Sequence, residues 1–546
     1  MSAESVTALP GSLREAPRYD LIVIGGGING AAVAREAALH GLRVVLYERD
    51  DLCSGTSAAS TRLIHGGLRY LEYAELGLVY ESLHERERLL RLAGHLVRAI
   101  PFNIPIYADA RRGRLKIAAG LTAYDLLSIG KSSPRHRMLS RAEQLQRTPG
   151  LRNEGLRGGA LYYDALVTYP ERLVVELCAD AAAHGAEIRT HCAVEQLITE
   201  GGEAFGVEYR DASGVHRASA PVIVNAAGPW VDRVAAREAA QRMVGGTRGS
   251  HIIVAPVEGF PATALYTEAK SNGRPFFIVP WNGQYLIGTT DERFDGDPAN
   301  VTATASDIGW LLSEPRRLLP GAGAFESHIW YAYAGVRALP FGSDGSTGAI
   351  TRKHIVHAHT NALGLYSVIG GKLTTHRALA EDVRKGARAR LPHFDRKSRT
   401  RERALPGALD EKERSELESA LTAMFDAHLA RRLLGVYGAQ ASRLLQRARE
   451  SAELAMVIGP HSETLVAELE FAFAAQWAGD LTDLLQRRCM VGLGPDRGLG
   501  DAEHAAQWLV RLGYLDRDAA PEALAAYRRW LRAHRGVADN QRSIAS

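Results

Sequence analysis

Tyr19-Asp20-Leu21-Ile22-Val23-Ile24-Gly25-Gly26-Gly27-Ile28-Asn29-Gly30 is the stretch that decides the fold. Its first half is a short apolar run and its second half a glycine turn, and the alanine-rich residues 31–40 that follow are helix-prone. After Gly41 a second apolar run, residues 43–48, completes a strand–helix–strand unit. Parallel strands joined through a helix need a right-handed crossover, which predicts a doubly wound α/β sheet. In the Gly25–Gly30 turn, Gly25 permits the tight bend, Gly27 lets a pyrophosphate approach the backbone, and Gly30 lets the helix pack on the strand. Glu48 ends the second strand about twenty residues on, where a carboxylate accepts hydrogen bonds from a ribose. The context predicts an ADP-containing dinucleotide, and the motif does not choose between FAD and NAD.

The chain has 546 residues, more than the roughly 250–300 at which single cores stop growing, so at least two domains are expected. A content of 46% hydrophobic and 23% charged residues, with 54 Gly and 22 Pro, excludes disordered, collagenous and coiled-coil classes. Four cysteines, at 53, 178, 192 and 489, show no CxxC spacing and point to a reducing compartment without structural zinc. No metal site is expected. The first twenty residues resemble neither a signal nor a transit peptide, and no apolar run is long enough to span a bilayer. A cytoplasmic protein is therefore expected. The net charge of +4 does not suggest nucleic-acid binding, but nine Lys or Arg against two acidic residues between 111 and 147 concentrate +7 there.

Three regions are expected: a tail at 1–19, interleaved nucleotide and β-rich substrate domains at 20–400, and an all-α C-terminal domain at 401–546. Residues 80–96 read as a helix; 222–225, 252–254, 276–279 and 285–289 read as strands. The runs 411–437 and 465–488 carry apolar residues at helical spacing, and 536–546 reads as a frayed tail.

Further motifs carry chemistry. The strand 222–225 ends in Ala226-Ala227-Gly228, small residues suited to a second close approach to a cofactor or to a packing corner. Gly370-Gly371-Lys372-Leu373-Thr374 opens a helix whose N–H groups suit anionic oxygen or a reduced flavin, or simply begin a helix. Arg69, His251, Arg337 and Arg352 stand in or beside glycine-bearing motifs, where arginine forks match phosphate or carboxylate. Singly each reads as a structural ion pair; together they predict an anionic substrate.

The motifs DLIVIGGGINGA, TSAASTRLIHGGLRYLE, VNAAGPW, GSHIIV, IGTTDE, YAGVR, AITR and GGKLTT, in that order over 20–375, resemble FAD-dependent glycerol-3-phosphate dehydrogenase of the D-amino-acid-oxidase-like flavoprotein class. ALPGA at 404–408 and the helical tail resemble its C-terminal domain more loosely. The resemblance implies FAD held by Gly25, Gly26, Gly27, Ile28, Asn29 and Gly30, by Glu48, by Ser57, Ser60 and Thr61, and by Gly371, Lys372, Leu373 and Thr374, with Ala227 and Gly228 alongside. It implies that Arg69, Tyr70, His251, Arg337, Arg352 and Lys372 meet sn-glycerol 3-phosphate, which is oxidised to dihydroxyacetone phosphate by hydride transfer to flavin N5.

His251, Arg337 and Lys372 are then the catalytic candidates, with His251 the base, because arginine is effectively always protonated, and Arg337 the alkoxide stabiliser. Electrons are expected to pass to a membrane quinone, with the 111–147 segment lying on anionic lipid as a peripheral anchor. A homodimer is compatible with the sequence. The competing readings are an oxidase that uses oxygen and a flavin-binding sensor without catalysis. Three departures from the family pattern stand out: His376 where Tyr is common, Ala334 where Ser is common, and a C-terminal region that keeps Arg487 and Arg488 in altered surroundings.

Overall fold

Strand β1 (Leu21–Ile24), helix α1 (Ile28–Leu39) and strand β2 (Val44–Tyr47) form the expected unit in the computed structural model of the protein. The structure describes residues 10–239, 241–322, 325–342, 350–391, 394, 397–460 and 462–536. Along the chain follow α2 (Leu76–Leu92), α3 (Arg114–Leu126), β3 (Glu187–Arg189), β4 (Val222–Asn225), β5 (Val244–Val254), β6 (Ile329–Pro340), β7 (Ile355–Ala358), β8 (Leu365–Ile369), α4 (His376–Ala387) and α5 (Ala520–His534).

The nucleotide sheet has the order β7-β8-β4-β1-β2-β3 and is parallel except for β7, which runs antiparallel to β8. Every residue of β1, β2 and β4 is buried, as expected for strands covered on both faces. Helix α1 packs against the helix Pro170–Ala183 and α4. Its approach to the sheet depends on Gly30, where a Cβ would sit 1.9 Å from the Gly25 carbonyl oxygen.

The second sheet has ten strands, and its chain segments interleave with those of the first. β5 and β6 pair antiparallel along their length, and β5 also pairs with the strand Gln284–Gly288. His251 therefore stands between Gly288 on one neighbouring strand and Tyr333 on the other.

Beyond residue 410 the described chain is helical, and its apolar residues Leu433, Leu465 and Leu484 share one core with Leu63, Tyr162 and Trp281 of the second sheet. The run 411–437 is two helices, Glu411–Thr422 and Ala427–Tyr437, because the Asp426 side chain accepts from the N–H groups of His428 and Leu429 and starts a new one. The run 465–488 is likewise interrupted between Ala475 and Leu481. The expected helix at 80–96 starts earlier, at Leu76, and ends before a strand at Val97–Tyr107. The basic segment 111–147 is not one helix: α3 ends at Leu126, Gly130 has φ +80°, and Arg137 and Arg141 lie on a separate strand and helix. The expected frayed tail falls, past Gly536, outside the described residues.

Asp51, three residues past Glu48, anchors the helical region. Arg488 Nη2 donates to its Oδ1 at 2.6 Å, and Arg488 Nη1 and Arg487 Nε donate to its Oδ2 at 2.9 Å and 2.5 Å. The altered surroundings of Arg487 and Arg488 thus form a buried clamp between the two halves of the chain.

Candidate active site

A cavity of about 500 Å³ runs along the carboxyl ends of β1, β2 and β4 and continues to the face of β5 and β6. At one end, Glu48 accepts from the Gly26 N–H at 2.6 Å and from the Asp50 N–H at 2.9 Å. Burial holds its carboxyl above the usual carboxylate range, against these two N–H groups, which favour the anion. In the middle, the N-terminus of α1 faces the cavity at Gly27 and Ile28, and Ser57 Oγ accepts from the Ile28 N–H at 3.0 Å. Ala227 and Gly228 line the same stretch after β4. At the far end Gly371 lies so close to Asn29 that a Cβ there would meet Asn29 Nδ2 at 2.7 Å, while Asn29 Nδ2 donates to the Gly370 carbonyl and Asn29 Oδ1 is buried without a partner. A ribose acceptor, a helix N-terminus without side chain at Gly27, and an orphaned amide oxygen follow one another along the cleft. The residues present fit an extended dinucleotide such as FAD.

The far end carries the reactive groups. His251 is buried; its Nε2 lies 2.9 Å from Thr61 Oγ1, and its ring stacks on Tyr333 with centroids 4.9 Å apart. Tyr333 is fixed in turn by donating to the Ser60 carbonyl at 2.8 Å. Burial, reinforced by Arg337 and Arg62, pushes the imidazole well below its ordinary range, so His251 is neutral at neutral pH. Arg337 is held by Thr289 Oγ1 at 2.9 Å, the Thr290 carbonyl at 3.3 Å and Asp291 Oδ1 at 3.2 Å. It passes so near Gly249 that a Cβ there would sit 2.2 Å from Nη2. Burial lowers its pKa, and Asp291 opposes that shift.

Asp291 also accepts on Oδ2 from Arg274 at 2.7 Å and from Arg352 at 3.3 Å. Burial alone would raise its carboxyl, yet Arg337, Arg352 and Arg274 hold it below the usual range. Lys372 Nζ lies 4.2 Å over the Tyr70 ring and donates to Ser82 Oγ at 3.3 Å. Burial pulls its pKa down to about 7 despite Glu75 and Glu81.

The structure thus brings His251, Arg337, Arg352, Tyr70 and Lys372 to one end of the cavity, with Ser60, Thr61, Leu373 and Thr374 beside them. Gly26 and Gly30 back the cradle without lining it. Arg69 points elsewhere: it donates to Tyr73 OH at 3.1 Å and lines a second cavity of about 370 Å³ beside α3. His376 also lies off the cavity, with Nδ1 2.7 Å from the Leu373 carbonyl, so the departure at that position acts on the helix start. Sequence reasoning missed Asp291, Arg274 and His65. His65 sits in the quoted HGGLRYLE motif, lines the cavity and bonds Thr374 Oγ1 through its N–H at 3.1 Å. Asp291 sits in the quoted IGTTDE motif, and its position between two threonines and a glutamate was the available signal.

Comparison with known proteins agrees with this geometry. The family model for FAD dependent oxidoreductases matches residues 20–377, and that for the C-terminal domain of alpha-glycerophosphate oxidase matches residues 398–520. A glycerol-3-phosphate dehydrogenase of Synechocystis sp. is 41% identical over 503 residues, covering 87% of this chain and 89% of that protein. One from Mycobacterium leprae is 36% identical over 497 residues, covering 90% and 84%. Among solved structures, the glycerol-3-phosphate dehydrogenase from Bacillus halodurans complexed with FAD aligns with a TM-score of 0.76 at 24% identity, over 95% of each chain.

Proposed function

From the premise that the chain belongs to the FAD-dependent oxidoreductase family, we propose that it oxidises sn-glycerol 3-phosphate to dihydroxyacetone phosphate and passes the electrons to a membrane quinone. The observation that carries this reading is the convergence of a neutral, buried His251 with Arg337, Arg352 and Lys372 at the far end of a dinucleotide cleft. FAD, when bound, supplies the two-electron acceptor for the hydride leaving C2. Glu48, the α1 N-terminus and the Gly370–Thr374 segment hold the cofactor. Arg352 and Lys372 bind the substrate phosphate, and Tyr70 closes over it.

His251 takes the proton of the C2 hydroxyl on Nε2, the substrate hydroxyl displacing that of Thr61 from this nitrogen, while stacking on Tyr333 holds the ring. Arg337, fixed by Thr289 and Thr290, stabilises the developing negative oxygen as the proton leaves. Residues 20–400 perform these roles in this reading, and residues 401–546 brace them through Asp51.

The quinone assignment is supported by the surface around α3. Leu115, Leu126 and Ile129 are 86%, 61% and 72% exposed beside Arg111, Arg114 and Lys116, which suits an anionic bilayer surface. Among the described residues no helix is long and apolar enough to cross a membrane. The test is the visible spectrum of the purified, FAD-loaded protein under anaerobic conditions. Bleaching by sn-glycerol 3-phosphate, with glycerol and a D-amino acid inert, is expected; an unbleached spectrum overturns the substrate. Stoichiometric peroxide on admitting oxygen, with no reduction of added quinone, replaces the quinone by oxygen as acceptor.

A further inference from the structure

A residue of the helical region reaches the stacking partner of His251. Arg535 closes α5, its N–H donating to the Leu531 carbonyl at 2.8 Å, while its own carbonyl accepts from Arg497 Nη1 at 3.5 Å. Arg535 is buried, and its guanidinium carbon lies 4.9 Å from the ring centroid of Tyr333 and 5.7 Å from those of Tyr331 and Trp530. Tyr331 and Tyr333 stand two residues apart on β6 and so face one side of the sheet, the side on which His251 lies directly across from Tyr333. Tyr333 is thereby bounded by the Ser60 carbonyl at its hydroxyl, by the His251 ring and by Arg535.

The guanidinium lacks the partners that a structural arginine uses. Among the described residues no carboxylate pairs with it, and its Nε is buried without a hydrogen-bond partner. Glu171, a carboxylate whose charge reaches it, is taken on both oxygens by Arg62, at 2.8 Å and 2.7 Å. Burying an uncompensated cation is costly, and an apolar side chain of similar volume would fill the space without that cost. What a guanidinium adds here is attraction to aromatic faces, which strengthens where water is excluded.

We propose that Arg535 is a positioning residue for the proton acceptor: through the Tyr333 ring it holds His251 in place for the C2 hydroxyl, so that the end of α5 completes the active site. The inference rests on His251 as the base, as proposed above, and deepens that reading. Ser60 restrains only the hydroxyl end of Tyr333, and Arg535 restrains the ring itself. Without the guanidinium the ring shifts, and the imidazole stacked on it shifts with it, away from the line between Nε2 and the substrate oxygen.

The experiment measures anaerobic reduction of bound FAD by sn-glycerol 3-phosphate in wild type and in the neutral variants Arg535→Met and Arg535→Gln. The rate at saturating substrate is expected to fall by roughly 10- to 100-fold, as for a displacement of about 1 Å, with KM within about threefold because other residues hold the phosphate. In a His251→Ala background the same variants change the rate by less than about twofold, since the group they position is gone. Both outcomes are read in whichever neutral variant retains FAD. A fall of equal size in both backgrounds, an unchanged rate, or loss of FAD from both neutral variants overturns the proposal. A wild-type rate in His251→Ala alone overturns the base assignment instead.

Discussion

Replacing Asp51 with Asn leaves the shape of the clamp between the nucleotide sheet and the helical region and removes its negative charge. Asp51 and Arg488 have fully buried side chains, and Arg487 is nearly so. Removing one partner of such a buried pair costs about 3–5 kcal/mol, because the remaining charge is left without compensation. The lower end applies here: Arg487 keeps Asp483, whose Oδ1 it meets at 2.6 Å, and Arg488 keeps the Gln476 carbonyl at 2.8 Å. About 3 kcal/mol corresponds to a factor of roughly 150 in the equilibrium between docked and undocked helical region. Native-state hydrogen exchange of the amides around 481–488 reads that equilibrium directly, and the FAD content of purified protein reads its effect on the loop that follows Glu48. An exchange rate altered by less than about fivefold in Asp51→Asn refutes the clamp.

His251→Ala lowers the rate of anaerobic flavin reduction by about 10²- to 10⁴-fold with FAD content unchanged, as loss of a general base does, in a stopped-flow measurement. Lys372 gains its charge as pH falls through about 7, so affinity for an unreactive dianion rises between about pH 9 and 7, by up to about tenfold per unit, and Lys372→Met abolishes the rise in a spectral titration. Leu115→Asp with Leu126→Asp abolishes flotation with anionic vesicles while leaving turnover with a soluble acceptor intact; equal flotation of variant and wild type removes the membrane contact. This pair is a cleaner test than reversing the basic residues, because Arg112 and Lys116 are engaged by Glu72 and Arg112 also by Glu268.

The nucleotide half was legible because its signals are local. An apolar run, a glycine turn and an alanine-rich helix lie within 21 residues of each other, and each demands the next. His251, Arg337 and Lys372 were legible as residue types whose neighbours are glycines. Asp291 was not: its partners lie 17, 46 and 61 residues away, and an Asp after two threonines reads equally well as a turn. The breaks in the long helical runs were hidden for a related reason. Asp426 is a cap only because the chain bends there, and periodicity continues across the bend. Arg69 marks another limit of the motif, which fixes its place beside Tyr70 but not the direction of its side chain, which donates to Tyr73 and lines the neighbouring cavity.

The interleaving of the two sheets also sets an order in time. Leu21 pairs on one side with Val44 but on the other with Val222, and Ile223 in turn waits for Leu365. At roughly 5–20 residues per second the second neighbour of β1 leaves the ribosome about 10–40 s after β1 itself. Until then the glycine turn has a cradle with one wall, and an apolar strand edge stays open to other chains. A nascent chain of this protein therefore cannot seat its cofactor before β4 has emerged, and shortened chains that stop before β4 are expected to aggregate rather than fold as small nucleotide-binding modules.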